Sequence, residues 1–219
     1  MSYLLFLALR KMCCMMESKS AIRKRMRALR DAVPAEQRAE WSRRICAQAL
    51  ALPAYATART IHIFLSFQSE VDMRAIIEAA FAMGKRVVVP VFVKDSDETP
   101  CTQIVSLDDD AFTFGKWNMR TPKVLRPMQL DEIDLVFAPL VAYSPLPKGE
   151  ASQPVRGAGW VRVGYGAGYY DRFLARIRAD VPKIGMAFAM QRVDAMPVEP
   201  FDVPLDDVIT EAILPASRR

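Results

Sequence analysis

The chain has little of what most often announces chemistry. It holds one histidine, His62, in 219 residues, so a serine or cysteine nucleophile paired with a histidine base has nothing to rest on. His62 itself sits inside an apolar run and reads as a packed core residue. The four cysteines (Cys13, Cys14, Cys46 and Cys101) show no Cys-x-x-Cys spacing. With a single histidine they make a poor zinc site, and they fit a reducing compartment, the cytoplasm. No apolar run is long enough to span a bilayer. Tyr3 to Leu9 is apolar, but no basic segment precedes it and no small-residue cleavage site follows. Residues 1–17 are therefore expected to form a poorly ordered extension, with Met15 or Met16 as candidate translation starts and an export signal as the alternative. Residues 18–219 are expected to form one domain. Internal repeats and heptads are absent. So is the P-loop pattern Gly-x4-Gly-Lys-Ser/Thr, and the glycines of the richest loop lie too close together for the dinucleotide pattern Gly-x-Gly-x-x-Gly.

What is present points to an α/β protein. Apolar residues make up 52% of the chain, enough for a sizeable core, and helix-like and strand-like segments alternate, which favours a sheet covered by helices. Ser18 to Arg30 reads as a strongly basic helix. At roughly 100° per residue, Lys19, Arg23, Arg27 and Arg30 share one sector, and Ile22, Met26 and Leu29 form the apolar stripe beside it. Pro34 suits the first turn of a second helix, with Trp41, Ile45 and Ala49 inward. Thr60 to Ser66 reads as a buried strand. A helix capped by Asp72 follows, with Ile76, Ile77 and Phe81 inward and Gly84 at its end. Arg86 to Val93 completes a βαβ unit, and Lys94 to Asp110 is expected to be surface structure with little core. Asp134 to Leu140 and Lys183 to Phe188 read as strands, Tyr170 to Arg178 as a helix, and Val208 to Thr210 as a last short strand. The net charge of +5 fits an anionic ligand or nucleic acid.

The richest segment is Arg162-Val163-Gly164-Tyr165-Gly166-Ala167-Gly168-Tyr169-Tyr170-Asp171-Arg172. Glycines at alternate positions let successive amides converge on an anion, and the positive end of a following helix reinforces the attraction. Arg162 supplies a cation just before the glycines, and Asp171 a carboxylate just after them. A tight turn ahead of an ordinary helix is the bland alternative. Magnesium prefers one or two carboxylates completed by phosphate oxygens and water. Asp202 is the best second acid, whereas Asp206 and Asp207 look like cap or surface residues. Glu70 follows the first buried strand, where ligands of open α/β sheets lie; a solvated loop glutamate is the competing reading. Trp117, in an aromatic cluster, either stacks on a flat heterocycle or covers one end of the core.

Taken together, these segments resemble the 5-formyltetrahydrofolate cyclo-ligase family, also called 5,10-methenyltetrahydrofolate synthetase. The resemblance rests on Lys19-x3-Arg23, on Phe64-Leu65-Ser66 leading to Glu70, on Asp134 to Pro139, and on the Arg162 to Arg172 loop. Gln191, Pro197, Asp202 and Asp207-Val208-Ile209-Thr210-Glu211 complete it. It implies a three-layer α/β single domain with a mostly parallel sheet flanked by helices. It also implies an ATP- and Mg²⁺-dependent ligase that cyclises 5-formyltetrahydrofolate to 5,10-methenyltetrahydrofolate, releasing ADP and phosphate through a phosphorylated formyl group.

Carried over by position, Lys19, Arg23, Arg162 and the backbone of Gly164, Tyr165, Gly166, Ala167, Gly168, Tyr169 and Tyr170 would bind ATP. Asp171 and Asp202 would hold magnesium. Leu65, Glu70, Trp117, Tyr165 and Tyr169 would line the folate pocket, with Arg162 and Glu70 closest to the chemistry. A small-molecule substrate, a monomeric state, and no nucleic acid or membrane partner follow from the same resemblance. Three departures stand out. Ser144 to Trp160 is longer than the family's turn and is expected to form a lid or flap. Thr121-Pro122 stands where a Glu-Pro is usual, and Phe201 stands where a histidine commonly precedes the second metal aspartate. Two other readings remain: an ATP-dependent enzyme acting on another formylated heterocycle, and an RNA-binding module built on the basic helix. The latter would bind with steep salt dependence.

Overall fold

The architecture comes from a computed structural model, which describes residues 17–91, 100–115, 119–147 and 159–212. The expectations for Met1 to Met16 and for Trp117 fall outside those residues, as does most of the Ser144 to Trp160 stretch. Helix α1 (Lys19–Ala32) is capped by the Ser18 hydroxyl, which accepts the Ala21 amide, and α2 (Ala35–Leu50) and the short α3 (Pro53–Thr57) follow. Then come β1 (Thr60–His62), α4 (Arg74–Ala82), β2 (Arg86–Pro90) and β3 (Cys101–Ile104). The hairpin β4 (Phe112–Phe114) and β5 (Arg120–Pro122) precedes β6 (Leu135–Pro139). A second hairpin, β7 (Ala142–Pro145) and β8 (Trp160–Val163), leads into α5 (Tyr169–Arg176), β9 (Lys183–Met186) and β10 (Asp207–Ile209).

Six strands form the main sheet in the order β10-β9-β6-β1-β2-β3. All pair in parallel except β3, which runs antiparallel to β2 at one edge. The central strands are apolar runs because both faces are covered. Alternation along each strand sorts the side chains: Val87, Val89, Leu135 and Phe137 pack towards α2, α3 and α4, while Val88, Val136 and Ala138 pack towards Phe173, Leu174 and Ile177 around α5. A mostly parallel sheet between two helical layers is the fold expected. His62, aligned with Val88 and Val136, lies on the α5 side. Its ring is fully buried 4.2 Å from that of Phe173, as a packed core residue should be.

Several local expectations are corrected. The Lys94 to Asp110 stretch contains core after all, since Cys101 and Ile104 of β3 are buried. The first strand ends at His62, although Ile63 and Phe64 stay buried. Met73, not Asp72, occupies the N-cap of α4, with the Asp72 carboxylate accepting the Arg74 amide at 3.0 Å. Pro34 caps α2 from outside its first turn, and Ala80 rather than Phe81 is buried with Ile76 and Ile77 on α4. On α1 the buried residues are Ile22, Met26 and Arg30, while Leu29 is 45% exposed.

The strand order reverses between β1 and β6. From β1 the chain moves outward to β2 and β3, then returns to β6 on the opposite side and continues to β9 and β10. Ligands of open α/β sheets bind beyond the carboxyl ends of the strands at such a reversal. The loop after β1 carries Leu65, Ser69 and Glu70. The chain after β6 builds the β7–β8 hairpin and then the glycine loop. Ile22 and Met26 pack α1 onto Val141, Ala142, Val161 and Val163 of that hairpin region, which brings the basic helix to the same end of the sheet.

Candidate active site

Arg162 lies within the buried strand β8, so its guanidinium starts from a rigid base, and the residue is only 5% exposed. Its Nη2 donates to Asp171 Oδ1 at 2.8 Å, its carbon centre lies 5.7 Å from the Tyr170 ring, and its buried Nε has no partner among the described residues. A buried guanidinium with a donor to spare is an unfinished anion site. The loop beyond it bends through Gly166 (φ +105°) and Gly168 (φ +67°), the latter at the N-cap of α5. Side chains other than glycine strain in that region of φ. A Cβ at Gly166 would also lie 3.3 Å from the Arg23 guanidinium, and one at Gly168 only 2.9 Å from Arg172. Among the described residues, the amides of Tyr165, Gly166 and Ala167 donate to no other group. The first amides of α5 are open by the nature of a helix terminus.

The basic helix closes this cradle. Arg23 Nε donates to the Gly164 carbonyl at 2.7 Å. Lys19 Nζ reaches Asp202 at 2.8 and 2.5 Å and Glu199 at 2.7 Å, and lies 5.6 Å from the Phe201 ring centre. Asp202 is itself positioned by its own loop, since its Oδ2 accepts the Glu199 amide at 2.7 Å. An open cleft of about 400 Å³ beside the cradle is lined by Gly168, Asp171, Arg172, Ala175, Pro200, Phe201 and Val203. The two candidate metal carboxylates thus each face a candidate phosphate cation: Asp171 with Arg162, and Asp202 with Lys19.

On the other side stands Glu70. Its Oε2 accepts the Phe67 amide at 3.0 Å, and its carboxyl lies near the Tyr165 hydroxyl. Burial pushes the Glu70 carboxyl above the ordinary range, against the nearby Arg30 charge, the Phe67 amide and the Tyr165 hydroxyl. Tyr165, 39% exposed, has its phenol raised by burial and then by Glu70. Leu65 is half-buried against the core under α2 and α4. Tyr169 turns inward instead, its ring 8% exposed and its hydroxyl donating to the Pro100 carbonyl at 3.0 Å. Tyr170 is likewise packed, with its hydroxyl unpartnered among the described residues. Reasoning from the sequence missed Glu199, Ser69 and the inward role of Arg30. Glu199 could have been noticed three residues from Asp202; Ser69 carried no signal of its own.

A sheet reversal with an amide-and-arginine cradle on one side and a half-buried carboxyl on the other suits an α/β enzyme. The chain belongs to the 5-formyltetrahydrofolate cyclo-ligase family, whose model matches residues 15–211. It is 30% identical over 195 residues to the 5-formyltetrahydrofolate cyclo-ligase of Escherichia coli K12, covering 86% of this chain and 96% of that one. It is 28% identical over 205 residues to the enzyme of that name from Haemophilus influenzae, covering 88% and 97%. The fold is also that of the 5,10-methenyltetrahydrofolate synthetase of Aquifex aeolicus, with a TM-score of 0.70 at 23% identity over 88% of this chain and 89% of that one. No helix among the described residues is long and apolar enough to cross a membrane.

Proposed function

We propose that this protein cyclises 5-formyltetrahydrofolate to 5,10-methenyltetrahydrofolate with ATP and Mg²⁺, releasing ADP and phosphate through a phosphorylated formyl intermediate. The observation that carries this reading is the cradle itself: unengaged amides at Tyr165, Gly166 and Ala167 beside a buried Arg162 whose Nε has no partner among the described residues. Those donors fit phosphate oxygens. The acids suit magnesium, a hard cation that takes oxygen ligands. Among the described residues no three His, Cys, Asp or Glu side chains cluster as a metal cage, so Asp171 and Asp202 would leave the remaining positions to phosphate and water. Bound there, the metal would neutralise charge on the phosphoryl oxygens.

A formamide oxygen is a weak nucleophile and a poor leaving group. In the proposed sequence it attacks the terminal phosphorus, and the bond to ADP breaks. N10 then attacks the activated carbon and loses its proton, the ring closes, and the carbon–oxygen bond breaks to release phosphate. Such chemistry asks the protein for alignment and charge neutralisation. Arg162, Lys19, Arg23 and the loop amides supply neutralisation, while Glu70, with Leu65 and Tyr165, orients the pterin around the formyl-bearing nitrogen. Trp117 would complete the pocket in this reading, whereas Tyr169 is packed inward on the Pro100 carbonyl. A monomer of one domain from residue 18 onward, working in the cytoplasm without nucleic acid or membrane partners, belongs to the same proposal.

The test is direct. Purified protein given Mg²⁺, ATP and 5-formyltetrahydrofolate develops the absorbance of the methenyl product. A well-folded sample without turnover rejects the reading. ADP release compared across folate forms and other formylated heterocycles assigns the substrate.

A further inference from the structure

On α1 the helical period offers Leu29 as the third apolar residue beside Ile22 and Met26, yet the helix turns so that Arg30 is buried, 1% exposed, and Leu29 stands 45% exposed. Removing a guanidinium from water is costly unless it is fully paired, so this orientation needs a return elsewhere. The partners show where. Arg30 Nε donates to Ser69 Oγ at 2.9 Å and its Nη2 to the Tyr165 hydroxyl at 2.8 Å. The Ser69 hydroxyl passes on to the Asp31 carboxylate, and the Tyr165 hydroxyl lies near the Glu70 carboxyl. Arg27 adds a second guanidinium 5.6 Å from the Tyr165 ring, with Arg30 itself at 5.9 Å.

One planar fork therefore holds two loops at once. Ser69 belongs to the loop after β1 that carries Glu70, and Tyr165 belongs to the glycine loop. A cation in the last turn of a helix commonly serves only to complement the helix dipole, in which case it would end on local carbonyls. This one reaches past its own helix to residues 39 and 135 positions away, and one of them is a partly exposed tyrosine at the tip of the anion cradle.

We propose that Arg30 is a positioning residue that couples the two ligands: by holding Tyr165 against Glu70, it makes filling of the glycine loop by a nucleotide and engagement of Glu70 by the folate mutually reinforcing. This rests on the function proposed above. A nucleotide phosphate on the loop fixes Tyr165. Tyr165 and Arg30 then present Glu70 in one orientation, so the second ligand meets a site already ordered. Coupling of this kind is reciprocal. Lysine is a poor replacement for the fork, because its ammonium donates from one nitrogen, whereas the planar guanidinium reaches Ser69 from Nε and Tyr165 from Nη2.

Calorimetric titration with a non-hydrolysable ATP analogue and Mg²⁺, with and without saturating 5-formyltetrahydrofolate, measures the coupling as a ratio of dissociation constants. Wild-type protein is expected to bind the nucleotide at least about fivefold more tightly when folate is present. Tyr165→Phe removes one oxygen from an accessible side chain, spares the fold, and brings the ratio to near one. Arg30→Met and Arg30→Lys do the same, and a melting curve for each checks folding. A merely structural Arg30 would lower the melting temperature and leave the ratio untouched. A wild-type ratio in Tyr165→Phe, or a ratio of one in the wild-type protein, overturns the inference. Failure of the wild-type protein to bind either ligand is a different result, and it sinks the proposed function itself.

Discussion

The two halves of the site are built on opposite electrostatic principles. On the side proposed for phosphate two cations have carboxylates in place, Lys19 with Asp202 and Glu199 and Arg162 with Asp171, while Arg23 donates to the Gly164 carbonyl. On the side proposed for folate a single half-buried carboxyl, Glu70, is held near Arg30 and the Tyr165 hydroxyl. Those ion pairs stand until a ligand rearranges them, so a metal taken by the aspartates would free the lysine and arginine for phosphate. The second half is poised by burial, so its state depends on pH. The difference implies that lesions on the phosphate side act through lost partners, whereas lesions on the folate side act through ionisation and orientation.

The largest effect is expected from Arg162→Met, which removes the buried donor aimed at the cradle. By analogy with losing one preorganised donor at a developing charge, turnover should fall roughly 10²- to 10³-fold with a near-normal melting temperature, as read from ADP release. Asp171→Asn comes next. A hydrogen bond to a charged group is worth about 1.5–3 kcal/mol, so the apparent constant for Mg²⁺-ATP should rise about 10- to 100-fold while folate binding changes less.

Glu70→Gln inverts that pattern. The Michaelis constant for folate should rise about tenfold with Mg²⁺-ATP largely unaffected. Because the Glu70 carboxyl is raised, it regains its proton at a higher pH than an ordinary glutamate. Folate affinity in the wild-type protein should therefore begin to fall sooner as pH drops, and that limb should vanish in Glu70→Gln. Normal folate kinetics in the variant would remove Glu70 from its assigned role.

His62 offers a control outside both halves. Burial holds its pKa down to about 3, so the unfolded chain binds the proton more readily than the native one. Stability is full above about pH 6.5 and declines as pH falls towards the folded value. Between pH 7 and pH 5.5 the loss should be roughly 1 kcal/mol, seen as a shift in urea midpoint. His62→Phe should flatten it.

The sequence made the parallel core and the cradle legible for physical reasons. Unbroken apolar runs such as Leu135 to Ala138 suit a doubly covered sheet, and the glycines at 166 and 168 take the positive φ that other residues avoid. The edge elements were not legible. Cys101 to Ile104 is four residues long and mixes polar with apolar, and each hairpin strand is as short. At that length tertiary contacts, not local pattern, decide the outcome. Arg30 escaped for a related reason: Leu29 and Arg30 are neighbours on the helix, and periodicity cannot say by how much the helix is rotated. Only the acceptors waiting at Ser69 and Tyr165, far away in the chain, settle that.

Lys19 and Asp202 lie 183 positions apart, and their ion pair has a temporal consequence. During synthesis the basic helix leaves the ribosome well before the acid that answers it. A truncated product ending before residue 202 carries the lysine and the glycine loop without that counter-ion. The charge arrangement is thus completed only after the segment that carries Asp202 has been made, and chains that stop short of it lack this ion pair.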